Sequence, residues 1–299
     1  MEDAIEKPKI ESQLPEKSPY SEKGRNVDIT LKFIRHGLRT PSGELTDYGK
    51  EVTRQKARES RSEIESFNVV GAMGSDSGPT GATGMQRSLE TAHIYAEEIE
   101  SDKKLQTRGA PILGYDTRVI PIPFDWDEVY NRNLPKNFDT LSGEEKDRAS
   151  KAAQATVINH FMSLQTPEAI NCRKEIAGSF ARVIDHYMRA IKGVKSGTKA
   201  LLLQGTHGGS MEPFLQELLI RRTPDGKEIH GFEKIEEIGG EFDSSEAFNV
   251  EVVTDNNGDL QKLRLSFDNK DRPKDDMYLD TENLQELKDF YIGLHNKKL

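Results

Sequence analysis

The chain has one cysteine and one tryptophan, and none of its apolar runs approaches the roughly 18 residues that a membrane span requires. Each of these shortages excludes something. A lone Cys172 can close no intramolecular disulfide and build no multi-thiolate metal site, which fits a reducing compartment. The N-terminus, MEDAIEKPKIESQLPEK, lacks the apolar stretch of a signal peptide, so the expectation is a cytoplasmic protein with no membrane contact. Basic residues are also in deficit: 42 Lys and Arg against 51 Asp and Glu leave a net charge of −9 on 299 residues. Such a chain lacks the broad basic face that displaces counterions from a polyphosphate, so nucleic acid is not an expected partner. A small anion can still be held in a local basic pocket.

Residues 1 to about 27 mix Glu, Lys, Ser and Pro with scattered apolar residues, and read as a disordered arm. From Asp28 the run DITLKFI alternates as a strand does and ends in Arg35-His36-Gly37. Thr46 is placed to cap a polar helix reaching about residue 60, FNVVGAM (67–73) reads as a short buried strand, and SDSGPTGATG (75–84) as a loop. Met85, Leu89, Ala92, Ala96 and Ile99 then recur at helical spacing. Prolines 111, 121, 123 and 135 break the next stretch into loops or short strands, and 143–192 reads as helical. KALLLQG (199–205) is an unalternated apolar strand of the kind buried on both faces, leading to Thr206-His207-Gly208. FNVEVVT and LQKLRLSF flank a turn at Asn257-Gly258 and read as a hairpin.

Three places therefore put cationic or imidazole groups just beyond expected strands: Arg35-His36-Gly37-Leu38-Arg39, Arg87 after the Gly-rich loop, and His207-Gly208-Gly209. In open α/β sheets ligands bind beyond the carboxyl ends of the strands, so these residues can converge although about 170 positions separate the outermost. Guanidinium forks match tetrahedral phosphate oxygens, and an imidazole held among arginines is disfavoured as a cation and stays a nucleophile. The chemistry implied is phosphoryl transfer through a phosphohistidine, needing no metal.

IRHGLRTP (34–41) resembles the Arg-His-Gly signature of the histidine phosphatase superfamily, the phosphoglycerate-mutase-like group. LTDYGKEVTRQKA (45–57), RSLETA (87–92), LLLQGTHGGSMEPFL (201–215) and FNVEVV (248–253) are similar to further segments of that family, in its order. The resemblance implies an α/β three-layer sandwich with a mixed, mainly parallel sheet between helices, one catalytic domain over 28–299, and a helical insert at about 109–170. It implies His36 as the phosphorylated nucleophile and Arg35, Arg87 and His207 as groups binding the phosphoryl oxygens, with Arg39 a further donor and no cofactor required.

Two departures matter. Gly208 follows the second histidine where the acid-phosphatase branch has Asp, which argues against a phytase-like enzyme, and the family's usual glutamate would fall near Pro121. The proton donor is therefore sought in PFDWDEVYN: Asp127 first, then Glu128 and Asp125, with Glu212 expected one turn into a helix and facing away. Arg87 has an alternative partner in Glu90, Trp126 can either pack or cover the site, and His93, His160, His186, His230, His295 and Cys172 read as structural. The leading expectation is a phosphatase acting on a small phosphomonoester. The alternatives are a phosphoglycerate-mutase-like phosphotransferase, for which Arg118, Arg132 and Lys136 give few cations, and a catalytically silent phosphate-binding protein.

Overall fold

A computed structural model describes residues 23–40, 42–60, 67–75, 85–99, 104–109 and 119–296. Among these residues nine strands form one sheet: β1 (Asp28–Arg35), β2 (Val69–Gly74), β3 (Lys104–Gly109), β4 (Lys199–Thr206), β5 (Leu219–Arg222), β6 (Glu228–His230), β7 (Ala247–Val253), β8 (Arg264–Phe267) and β9 (Asp276–Leu279). Their order is β3-β2-β4-β1-β7-β8-β9-β5-β6. The first four in that order are parallel, and every pairing from β1 to β6 is antiparallel. The sheet is mixed, as expected, but not mainly parallel: parallel pairing is confined to the half whose strands end at Arg35, Gly74 and Thr206, and β5, β6 and β9 are too short to have shown an alternating pattern in the sequence.

Among the described residues there are seven α-helices: α1 (Asp47–Glu59), α2 (Arg87–Ile99), α3 (Trp126–Arg132), α4 (Gly143–Ser163), α5 (Pro167–Ala190), α6 (Met211–Leu218) and α7 (Thr281–Asn296). On one face α1 and α2 bury Ala57, Ala92, Tyr95 and Ala96 against Ile34, Val70, Ala72, Leu201 and Leu203. On the other, α5, α6 and α7 close a larger core in which Phe33, Phe180, Phe214 and Phe248 pack with ring centroids 5.0–5.5 Å apart along successive contacts. The alternation of β1 is the cause: Ile29, Leu31 and Phe33 face the large core, while Ile34 faces α2.

Three boundaries differ from the sequence-based expectation. Residues 23–27, assigned to the arm by composition, belong to the fold: Gly24 N–H donates to Val194 O at 2.8 Å, and Val27 is fully buried. The remainder of the expected arm lies outside the described residues. The stretch 143–192 is two long helices, because Thr166 at ψ 148° caps α5 through the amide of Ala169 and Pro167 follows at its first position. The second hairpin strand begins at Arg264 instead of Leu260, which makes only an isolated bridge to Thr254. The edge strand β3, in the stretch just before the expected insert, had no pattern to announce it. The Gly-rich loop at 76–84 and residues 110–118 of the Pro-containing segment lie outside the described residues.

Candidate active site

The parallel registers set the site. Arg35 of β1 lies opposite Thr206 of β4, and Gly74 of β2 lies opposite Gly205 of β4. His36, His207 and Ser75 are each the residue just beyond one of these three adjacent strand ends, so parallel pairing alone aligns them. Arg87 arrives by a different route, at the start of α2. Gly74 and Gly205 have no side chain where α2 crosses the sheet, and a Cβ on either would penetrate the backbone of Leu89 or Ser88. Two glycines thus let the first turn of α2 rest directly on the strand ends.

The cavity at this edge has a volume of about 280 Å³ and is lined by Arg35, His36, Gly37, Leu38, Arg39, Arg87, Trp126, Asp127, Tyr130, Ser150, Gln154, His207, Gly208 and Ser244. The rings of His36 and His207 meet edge to face with centroids 5.1 Å apart. His36 Nδ1 lies 2.7 Å from the carbonyl oxygen of Gly37. A carbonyl only accepts, so Nδ1 carries the proton and Nε2 keeps its lone pair. The loop bearing His36 is held from three sides: Gly37 N–H donates to Thr91 Oγ1 at 3.1 Å, His36 N–H to Thr206 O at 2.9 Å, and Ser245 N–H to Arg35 O at 3.1 Å.

His36 is held well below the ordinary histidine range, first by burial, then by the positive neighbourhood of His207, Arg87 and Arg35. Its neutral form is therefore the resting form. The consequence for stability has a definite sign: below about pH 6.5 the unfolded chain binds a proton that native His36 refuses, so stability falls as the pH drops towards the native value. Urea midpoints between pH 7 and 5 should fall less steeply for His36→Asn than for wild type, the difference approaching at most about 1.4 kcal/mol per pH unit. Parallel curves for the two proteins would contradict this.

Arg35 is nearly buried and donates through Nη1 to the Phe242 carbonyl, while its buried Nε has no acceptor among the described residues. Arg87 points its Nη2 at His207 Nδ1, 3.5 Å away. The alternative partner considered for it, Glu90, is instead paired with Lys50 at 2.9 Å. Arg39 is exposed on the cavity rim.

The candidate acids separate cleanly. Asp127 lines the cavity, on the first turn of α3. Asp125 is the cap of that helix and accepts from Glu128 N–H at 3.0 Å, whereas exposed Glu128 pairs with Arg132. Glu212 is fully buried beneath the 207–210 turn, where it accepts from Gly209 N–H at 2.9 Å; burial raises its pKa and Arg35 partly opposes that. Trp126 both packs and covers: it sits among Phe124 and Phe161, with ring centroids 5.9 and 6.0 Å away, and its indole lies against Gly209. Gly209 has φ +81°, and a Cβ there would come 2.5 Å from the Trp126 ring.

Several lining residues had no signal in the sequence. Ser150 and Gln154 share one face of α4 at i, i+4 within a stretch that reads as a solvated helix, and Ser244 comes from the loop before β7. Ser75 sits at the first position of an expected loop, and only its place just past a strand could have marked it.

Among the described residues no His, Cys, Asp and Glu cluster could hold a metal ion, and no helix is long and apolar enough to cross a membrane. No family model matches the chain, and no curated protein does. Solved structures similar to it include a mycobacterial hydrolase (13% identity over 88% of this chain and 98% of that one, TM-score 0.44) and a phytase of Klebsiella sp. ASR1 (11%, 90% and 97%, 0.45). A mycobacterial glucosyl-3-phosphoglycerate phosphatase is also among them (14%, 80% and 96%, 0.39). At such identities and scores these likenesses decide nothing about activity, and the residues of this chain have to carry its function.

Proposed function

We propose that this chain is a phosphatase that hydrolyses small phosphomonoesters through a phosphohistidine at His36. The observation that carries the proposal is a buried, neutral histidine whose Nδ1 is committed to a carbonyl, leaving Nε2 as a nucleophile in a cavity with three arginines and a second histidine. Arg35, Arg87 and His207, with Arg39 at the rim, surround the phosphoryl group and stabilise the charge that builds on its oxygens as it transfers. That role leaves no charge-neutralising task for a cofactor.

The reaction runs in two steps. His36 Nε2 forms a bond to phosphorus as the ester P–O bond breaks, and the Asp127 carboxylic acid gives its proton to the departing alkoxide. Water then attacks the phosphohistidine, its proton passing to the Asp127 carboxylate, and the N–P bond electrons return to Nε2 as inorganic phosphate forms. The leaving group lies towards Tyr130, Ser150, Gln154 and Ser244. An adjoining cavity of about 640 Å³ shares Arg39, Asp127, Tyr130 and Ser150 with the first and gives that group room to exceed the phosphoryl group in size.

Asp127→Asn tests the assignment of the acid. Turnover of an alkyl phosphate should fall on the order of 10²–10⁴-fold, and that of an aryl phosphate with a good leaving group far less. Equal losses on both substrates, or full activity on the alkyl ester, would remove Asp127 from this role. Wild type that neither turns over a phosphate ester nor forms a phosphoenzyme would be a phosphate-binding protein instead.

A further inference from the structure

Behind His207 runs a chain of hydrogen bonds that no part of the reaction above uses. His207 Nε2 lies 2.7 Å from Ser75 Oγ, Ser75 Oγ donates to Ser88 Oγ at 3.0 Å, and Ser88 Oγ donates to the backbone carbonyl of Ser75 at 2.7 Å. Ser75 and Ser88 are both fully buried. The directions can be read from the two ends. The carbonyl only accepts, so the Ser88 proton is fixed on it; Ser88 then accepts from Ser75, whose own proton is used. Ser75 is left with lone pairs towards the imidazole, so Nε2 must donate. At the opposite side of the ring Arg87 Nη2, which only donates, faces Nδ1 at 3.5 Å. Both sides of the ring demand the same tautomer.

Building on the proposed phosphatase, we infer that Ser75 and Ser88 are positioning residues that fix unliganded His207 as its Nε2–H tautomer and aim Nδ1 at Arg87 and the phosphoryl cavity, where it takes the proton of a bound ester monoanion and then donates to the phosphoryl oxygens. They act through His207, touching neither substrate nor phosphorus. The nitrogen protonated in a histidine is set by the bond that the other nitrogen makes, and here a strand end and a helix start supply that bond together. Ser75 follows β2 and Ser88 is the second residue of α2, so the packing of Gly74 and Gly205 that seats Arg87 also assembles the chain.

The tautomer can be read directly, without substrate, from long-range ¹H–¹⁵N correlations of the histidine rings in the full-length protein, with His207→Asn to assign the signals. Wild-type His207 should show a protonated Nε2 and an unprotonated Nδ1. In Ser75→Ala the signals should average towards a mixture of tautomers, and turnover of an aryl phosphate should fall roughly tenfold to a hundredfold, in kcat more than in KM. Ser88→Ala should have a smaller effect in the same direction, and Ser75→Cys, which keeps a weak acceptor, should fall between alanine and wild type. A wild-type Nδ1–H tautomer overturns the proposal, even if no alanine variant folds. So does a Ser75→Ala protein that loses activity with its tautomer unchanged, since the serine would then act only through packing. Because the tautomer is measured in the unliganded protein, a failure of phosphatase activity leaves that result standing and is recognised separately by its own assay.

Discussion

Replacing His36 with alanine should reduce turnover of an aryl phosphate by roughly 10⁴-fold or more, while leaving the chain folded and able to bind inorganic phosphate. The size follows from the role. A nucleophile that forms the covalent intermediate belongs to a unit whose loss removes the whole route, and only binding and charge stabilisation then remain. Arg35, Arg87 and His207 would still surround the phosphoryl group, and the loop would keep its backbone bonds to Thr91 and Thr206, because these use main-chain amides and not the imidazole. His36→Asn is a stricter version, since an amide approximates the imidazole in size and polarity without a nucleophilic nitrogen. Steady-state assays on purified wild type and both variants, with phosphate titrated into each, separate the loss of chemistry from a loss of binding. A variant that keeps more than a few per cent of wild-type turnover would mean that phosphorus is attacked by something other than His36.

The largest effect on stability is expected at Gly205. A valine there would put its Cβ 1.9 Å from the carbonyl oxygen of Ser88, a backbone atom that cannot turn aside as a side chain can. Relief requires α2 to lift from β4, which would break the contact of Ala92 and Ala96 with Leu201 and Leu203. Overpacking of this kind costs about 3 kcal/mol, read as a lower urea midpoint at unchanged slope. The damage should also reach the chemistry at conditions where the variant is still folded. Lifting α2 moves Arg87, Ser88 and Thr91 together, and with them a phosphoryl donor, the anchor of His207 and the acceptor for Gly37 N–H. Gly193→Ala is the control: nothing lies within 4 Å of its added Cβ, so its stability should stay within about 0.5 kcal/mol of wild type. Equal behaviour of Gly205→Val and this control would contradict the account of how α2 is seated.

These two sites also mark how far the sequence could be read. Strand ends followed by Arg-His-Gly and Thr-His-Gly put His36, Arg35 and His207 within reach of one another, because parallel strands of similar length in an α/β sheet finish at one level. The periodicity of α2 and the cap Thr46 were equally legible, since each rests on a local pattern. What escaped depends on tertiary packing. Ser75 and Ser88 are 13 residues apart with a Gly-rich loop between them, and nothing in either position says that they share a hydrogen bond. Ser150 and Gln154 lie on a helix whose flanking Lys and Glu suggest solvent on every side; only the docking of α4 beside α3 turns that face towards the cavity. Choosing among Asp125, Asp127 and Glu128 likewise required structure, since the three are nearly adjacent in the chain. One of them is spent on a helix cap and one on Arg132, and that assignment of partners is invisible in the string of letters.

The most direct test of the whole account is to find the phosphoryl group on the protein. Wild-type enzyme mixed with a phosphate ester, quenched within its first turnovers under alkaline conditions that preserve phosphohistidine, and digested for mass spectrometry and ³¹P NMR should carry one phosphoryl group. It should sit on Nε2 of His36, because Nδ1 is occupied by the Gly37 carbonyl. A phosphoryl group on any other residue, on Nδ1 of His36, or turnover that proceeds with none on the protein at all, would contradict it.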